Sequence, residues 1–104
     1  MEEHIVNATE FRLTGQVSAP GFADWICHRA KLLNLKGWVS RFDVDAVMIV
    51  VCGPLPLIDA MEMACSLGPI DVFVERIDAF EIHLDEAPNG FHLRSNASEK
   101  LPLS

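Results

Sequence analysis

Positively charged residues are scarce in this chain. Its 104 residues include 8 Lys and Arg against 15 Asp and Glu, which gives a formal net charge of −7 and a pI near 4.8. The few basic residues are scattered along the sequence. Because contacts to phosphate backbones need clustered Lys and Arg, this composition argues against nucleic acid and anionic membranes as partners.

Long apolar runs are also absent. No stretch reaches the roughly 18 consecutive apolar residues of a membrane span. The first residues, MEEHIVNATEF, are acidic and polar, whereas a secretory signal is basic and then apolar. The sequence therefore predicts a soluble cytoplasmic protein.

Cysteines and histidines are few and dispersed. Cys27, Cys52 and Cys65 are odd in number and widely spaced inside apolar segments, which favours buried thiols in a reducing compartment. No Cys or His pair has the spacing of a zinc site, and the histidines are spread over His4, His28, His83 and His92. The pattern predicts neither a metal site nor a cofactor.

Hydrophobic periodicity divides the rest of the chain into strands and helices. Residues 7–17 alternate as in a half-buried strand, and from Phe22 the apolar period becomes helical until Asn34 and Gly37 stop it. Later segments predict two strands joined by a short acidic turn (37–42 and 46–52) and a second helix ending at Gly68-Pro69 (53–69). A long strand (72–83) and a short final strand (90–94) follow.

The order strand–helix–strand–strand–helix–strand is the split βαβ arrangement. Each helix has one apolar stripe, so both helices should cover one face of an antiparallel sheet. This predicts an α+β, ferredoxin-like two-layer sandwich over residues 1–94 with a short extra C-terminal strand and a flexible tail at 95–104. The first and third strands should be central, and the core should contain Phe11, Leu13, Val17, Phe22, Ile26, Leu33, Val39, Val47, Ile49, Val51, Ile58, Met61 and Val74.

Two motifs in this frame resemble the acylphosphatase family. That family has a first strand ending Ser/Thr-Gly-x-Val-Gln-Gly-Val-x-Phe-Arg, with a Trp two residues after the Arg. Residues 14–23 read TGQVSAPGFA, and Trp25 falls in register. The second family motif, Gly-Trp-Val-x-Asn, is similar to GWVSR at residues 37–41. The resemblance covers about residues 8 to 94 and includes Gly53, Gly68-Pro69 and Val74-Glu75-Arg76-Ile77.

The resemblance implies hydrolysis of acyl phosphates to carboxylate and phosphate. In the family, loop N–H groups and the Arg hold the phosphate, while the Asn orients the attacking water. The chain departs from the family at these positions, with Ala23 for the Arg and Arg41 for the Asn. Pro20 also removes one loop N–H, and Ala19 replaces a glycine. We therefore assign no catalytic residue, and the implied anion-binding candidates are Ser18, Ala19, Gly21, Phe22 and Arg41.

Three functions remain open. The first is a degenerate domain, a pseudoenzyme, that binds a small anion or a protein without turnover. The second is an active acylphosphatase in which Arg41 replaces the lost Arg. The third is a self-associating structural module. The first is favoured over the second because phosphoryl transfer depends on positioning and charge stabilisation, and because Arg has no acceptor with which to orient a water.

The third strand suggests a surface for association. If Val47, Ile49 and Val51 face the helices, then their neighbours face the other side of the sheet, where leaving them exposed is unfavourable. A second copy, another protein or the C-terminal segment should then cover Trp38, Met48, Val50 and Cys52.

Overall fold

The computed structural model describes residues 6–94, apart from the Phe42 side chain, as a sheet that carries two helices. The predicted order of elements is confirmed. The expected flexible tail, residues 95–104, lies outside the described residues. The elements are β1 (Val6–Gln16), α1 (Phe22–Leu32), β2 (Lys36–Asp43), β3 (Ala46–Cys52), α2 (Leu55–Leu67), β4 (Phe73–Leu84) and β5 (Phe91–Arg94).

The strands form one five-stranded sheet in the order β4-β1-β3-β2-β5. β1 and β3 are interior strands, as predicted, and β1 pairs antiparallel with both β3 and β4. Both helices contribute side chains to one apolar core, so they cover the same face of the sheet. The fold is therefore the α+β, ferredoxin-like sandwich that the sequence predicted.

The last strand corrects the prediction of a wholly antiparallel sheet. β5 pairs in parallel with β2, so that Gly37 lies opposite Phe91 and Ser40 lies opposite Arg94. β4 lies at one edge and β5 at the other. Three antiparallel steps separate β4 from β2, so the two strands run in opposite directions. If the chain reverses direction once after β4, the next strand runs parallel to β2. β5 can therefore pair in parallel with β2 at the far edge of the sheet.

The core is built from alternate residues of the strands and one stripe of each helix. Phe11, Leu13 and Ile49 on the strands, and Ile26 and Met61 on the helices, are all at most 1% exposed. Every predicted core residue belongs to this cluster or packs against it. Leu33 and Val74 differ from the prediction only in being half-buried: Leu33 is the C-cap of α1, and Val74 lies on the edge strand β4.

The opposite face of the sheet is only partly open. Val50 is 2% exposed and Cys52 is 9% exposed, and both pack against Ala8 with half-buried side chains from β1, β2 and β4 around them. The Arg94 guanidinium lies 3.7 Å from the centroid of the Trp38 ring. Val50 and Cys52 are therefore covered by their own chain, whereas the sequence left open a second copy, another protein or the C-terminal segment as the cover. A partner through Trp38 and Met48, which stay half-buried, remains a prediction.

Gly37 allows β2 and β3 to approach closely. Its φ is +142°, a conformation that side-chain-bearing residues rarely adopt, and a Cβ there would lie 1.8 Å from the Val50 carbonyl oxygen. The Gly37 N–H also donates to the Gly90 carbonyl at 2.9 Å, which holds the beginning of β5 beside β2. The glycine is thus required by both the backbone conformation and the space.

We predict that Gly37→Ala lowers the free energy of unfolding by about 3 kcal/mol, since it combines backbone strain with a steric clash. Gly21→Ala is the matched control, because a Cβ at Gly21 meets nothing within 4 Å. Urea unfolding followed by circular dichroism measures both changes. Equal effects of the two substitutions would contradict this account of Gly37.

Candidate functional site

The loop between β1 and α1 is a tight turn that closes on itself. Pro20 and Gly21 are its central residues, and the Phe22 N–H donates to the Ala19 carbonyl at 3.1 Å. Gly21 has φ −89° and ψ 2°, the third-residue geometry of a type I turn, with proline favoured at the position before it. The Gly21 carbonyl then accepts the Trp25 N–H at 2.9 Å and begins α1.

Arg41 extends from β2 to this loop. Its Nη1 donates to the Val17 carbonyl at 3.1 Å, although the two residues are 24 positions apart in sequence. The Val17 side chain is fully buried, so its carbonyl has a fixed position next to Ser18. The structure therefore brings Arg41 together with the loop residues that the sequence grouped with it.

The amide groups of the loop are not equivalent. The Phe22 N–H is already used in the turn, and Pro20 has no N–H. No backbone hydrogen bond within residues 6–94 uses the N–H of Ser18, Ala19 or Gly21 outside the helices and strands. These three amides and the Arg41 guanidinium are the donors of the candidate site, and the Phe22 amide becomes available only if the turn opens.

The first turn of α1 carries no cation for an anion to meet. Ala23 is half-buried against the core, and Asp24 is exposed. Asp24 does not cap its own helix, because the N-cap is Gly21 and no side chain of residues 6–94 bonds the helix N-terminus. Asp24 follows the cap by three residues and carries negative charge near the helix N-terminus, where the dipole favours it.

Aromatic side chains hold the beginning of α1 in place. The Phe22 and Trp25 rings stack with centroids 5.9 Å apart, and the Arg29 guanidinium lies 5.1 Å from the Trp25 ring centroid. The Phe22 side chain is 1% exposed, so the helix start is anchored in the core. This anchoring holds the end of the loop, at Phe22, against the core.

The cysteines do not form a second reactive centre. Burial raises the pKa of the Cys65 thiol to about 12, and burial also raises the pKa of Cys27 and of Cys52. A raised pKa leaves less of the nucleophilic thiolate at neutral pH.

Within residues 6–94, no three His, Cys, Asp or Glu side chains lie close enough to hold a metal ion. No helix in that part of the chain is long and apolar enough to cross a membrane.

Comparison with known proteins gives the family. The sequence model of the Acylphosphatase family matches residues 9–93. This chain belongs to the acylphosphatase family. An acylphosphatase of Rhizobium meliloti is 32% identical to it over 82 residues, which cover 79% of this chain and 86% of that protein.

Further relatives support the same family and fold. An acylphosphatase of Acidiphilium cryptum is 37% identical over 57 residues, which are 55% of this chain and 63% of that protein, less than two thirds of its length. The crystal structure of acylphosphatase from Bacillus subtilis superposes with a TM-score of 0.79 at 24% identity. That superposition covers 86% of this chain and 99% of the other, so the fold of the family is present over most of the chain.

The contact between Arg41 and Val17 was not predictable from the sequence. The acceptor is a backbone carbonyl, and a carbonyl is present at every residue, so no sequence pattern marks it. The only signal was that Arg41 follows GWVS on a strand near the loop in the expected fold.

We predict that Arg41→Met lowers the free energy of unfolding by about 1–2 kcal/mol, because the Val17 carbonyl loses a charged hydrogen-bond donor. Arg76→Met is the matched control, since Arg76 forms an exposed ion pair with Asp78. That substitution should change stability by less than about 0.5 kcal/mol. Chemical denaturation of the two variants makes the comparison, and a cost at Arg41 no larger than at Arg76 would refute the structural role of the contact.

Proposed function

We propose that this member of the acylphosphatase family binds a small anion at the β1–α1 loop and does not efficiently hydrolyse acyl phosphates. The observation that carries the proposal is the contact of Arg41 with Val17. It holds a guanidinium beside the loop, at the position where the family resemblance expects the Asn that orients water.

The anion-binding part rests on charge and on amide donors together. Arg41 supplies a permanent positive charge and several N–H donors, one of which bonds the Val17 carbonyl. The Ser18, Ala19 and Gly21 amides lie in the same loop, directly before α1, whose N-terminus adds a favourable dipole. Asp24 opposes this with a negative charge, so we expect binding to be weak and to decrease with added salt.

The loss of hydrolysis rests on missing groups. Ala23 has no charge to stabilise the transferring phosphoryl group, and the Pro20 turn leaves fewer amides than an open loop. Loss of a single oxyanion donor typically costs about 10²–10³ in rate. Arg41 restores charge but has no acceptor to take a proton from an attacking water. An active enzyme with Arg41 in place of the family Arg is therefore the less favoured alternative.

We predict that hydrolysis of benzoyl phosphate by this protein is at least about 10³ slower than by a family enzyme, because two catalytic groups are missing. The loss of benzoyl phosphate absorbance measures the rate, with the Bacillus subtilis acylphosphatase as the positive control. The double variant Ala23→Arg with Arg41→Asn should regain part of the activity, and adding Ala19→Gly with Pro20→Val should increase it further. Efficient turnover by the unchanged protein would contradict the proposal and favour the active-enzyme alternative.

We further predict that inorganic phosphate shifts the amide NMR signals of Ser18, Ala19 and Gly21, with a dissociation constant of about millimolar strength. Arg41→Met should weaken this binding at least tenfold, since it removes the positive charge. Arg76→Met, which removes the same charge on β4, is the control and should leave binding unchanged. Loop signals that do not move at 50-fold excess phosphate, or that respond equally in both variants, would overturn the anion site.

A further inference from the structure

β4 is a long strand at the edge of the sheet. It has 12 residues, Phe73–Leu84, and among the strands of residues 6–94 it pairs only with β1. From Arg76 to Leu84 its register with β1 is uninterrupted, so about 30 Å of regular strand presents its other edge outward. An edge of this kind offers backbone N–H and C=O groups to another extended chain.

A groove runs along the helix side of this edge, between β4 and α2. It consists of two hollows of about 470 and 270 Å³, and Asp59 and Glu62 of α2 line both of them. The floor includes apolar side chains such as Val74 and Ile77, and the exposed Met63 lies at the rim. The groove therefore has room for side chains of a strand added beside β4.

The charge of the groove is strongly one-sided. Four carboxylates line it, from Asp59, Glu62, Glu75 and Glu81. Among the described residues none of the four forms an ion pair. Arg76 also lines the groove, but its guanidinium is paired with Asp78. Four negative charges therefore face one positive charge that is already compensated.

This charge argues against a second copy of the chain at the same edge. Pairing two β4 strands would bring two acidic grooves together, and like charges across an interface are unfavourable. The net charge of −7 adds to the repulsion. Charged side chains are one means by which edge strands avoid self-pairing, and they do not oppose a partner of the opposite charge.

We propose that β4 and this groove bind an extended, cationic segment of another protein, which adds a sixth strand to the sheet. Every second residue of the segment, on the helix side, would be Lys or Arg facing the carboxylates of α2 and β4. The alternate residues would be apolar and lie on the opposite face, next to Phe80, which is 44% exposed. This site is separate from the β1–α1 loop and does not depend on its proposed function.

The test uses a synthetic peptide with alternating lysine and valine, seven residues long and capped at both ends. Binding should shift the NMR signals of β4 and of α2 at Asp59 and Glu62. It should also slow hydrogen exchange of the outward-facing amides of β4, because they become hydrogen-bonded to the peptide. A peptide of the same composition with its lysines and valines in two blocks should bind at least tenfold more weakly.

The variant Glu62→Gln with Glu81→Gln should weaken the alternating peptide at least tenfold. The control Asp85→Asn with Glu86→Gln removes the same charge in the loop after β4 and should leave binding unchanged. Equal binding of both peptides, equal weakening in both variants, or no slowing of β4 exchange at saturation would overturn the proposal. The proposal would also fail if the protein sedimented as a dimer and the variant Glu62→Gln with Glu81→Gln made that dimer tighter. That result would assign the edge to a second copy of the chain.

Discussion

The burial of β3 on both faces is the constraint on which the rest of the structure depends. Val47, Ile49 and Val51 face the helices, while Val50 and Cys52 are buried on the other face. A strand of this kind is stable only when it has neighbours on both sides and covering layers above and below. β1 and β2 are the neighbours, α1 and α2 form one layer, and side chains of the flanking strands form the other. The loop and Arg41 owe their relative position to this arrangement, since β1 and β2 both pair with β3.

Patterns that reflect burial were predictable from the sequence. Alternation along β1 placed Phe11 and Leu13 in the core, and the helical period of α1 did the same for Ile26. The number and order of elements followed from the same patterns together with the positions of Gly and Pro. The direction of β5 was not predictable in this way, because four residues of strand carry no signal about which edge they join. The burial of Val50 by its own chain was not predictable either, because it depends on which strands surround it.

The candidate site also has some features that the sequence predicts and others that it does not. The family motifs predicted which residues lie in the loop, and the structure places Arg41 beside them. The use of the Phe22 amide within the turn was not predicted, because it depends on the backbone angles around Pro20 and Gly21. The beginning of α1 has a similar cause, since Gly21 forms its N-cap without a side-chain hydrogen bond. Details at the scale of single hydrogen bonds thus lie beyond what residue types reveal, and they decide which N–H donors of the loop are already used.

The pairing of β5 with β2 also bears on the order in which the core can form. Phe91 is 4% exposed and belongs to the main core, although it is among the last described residues of the chain. During synthesis the chain emerges from its N-terminus, so β2 and α1 are available long before Phe91. Until that residue arrives, the α1 side of the core lacks one of its aromatic rings, and the Gly37 N–H lacks its Gly90 partner. A ribosome-bound chain that ends before β5 therefore holds an incomplete core, which closes only after β5 has been synthesised.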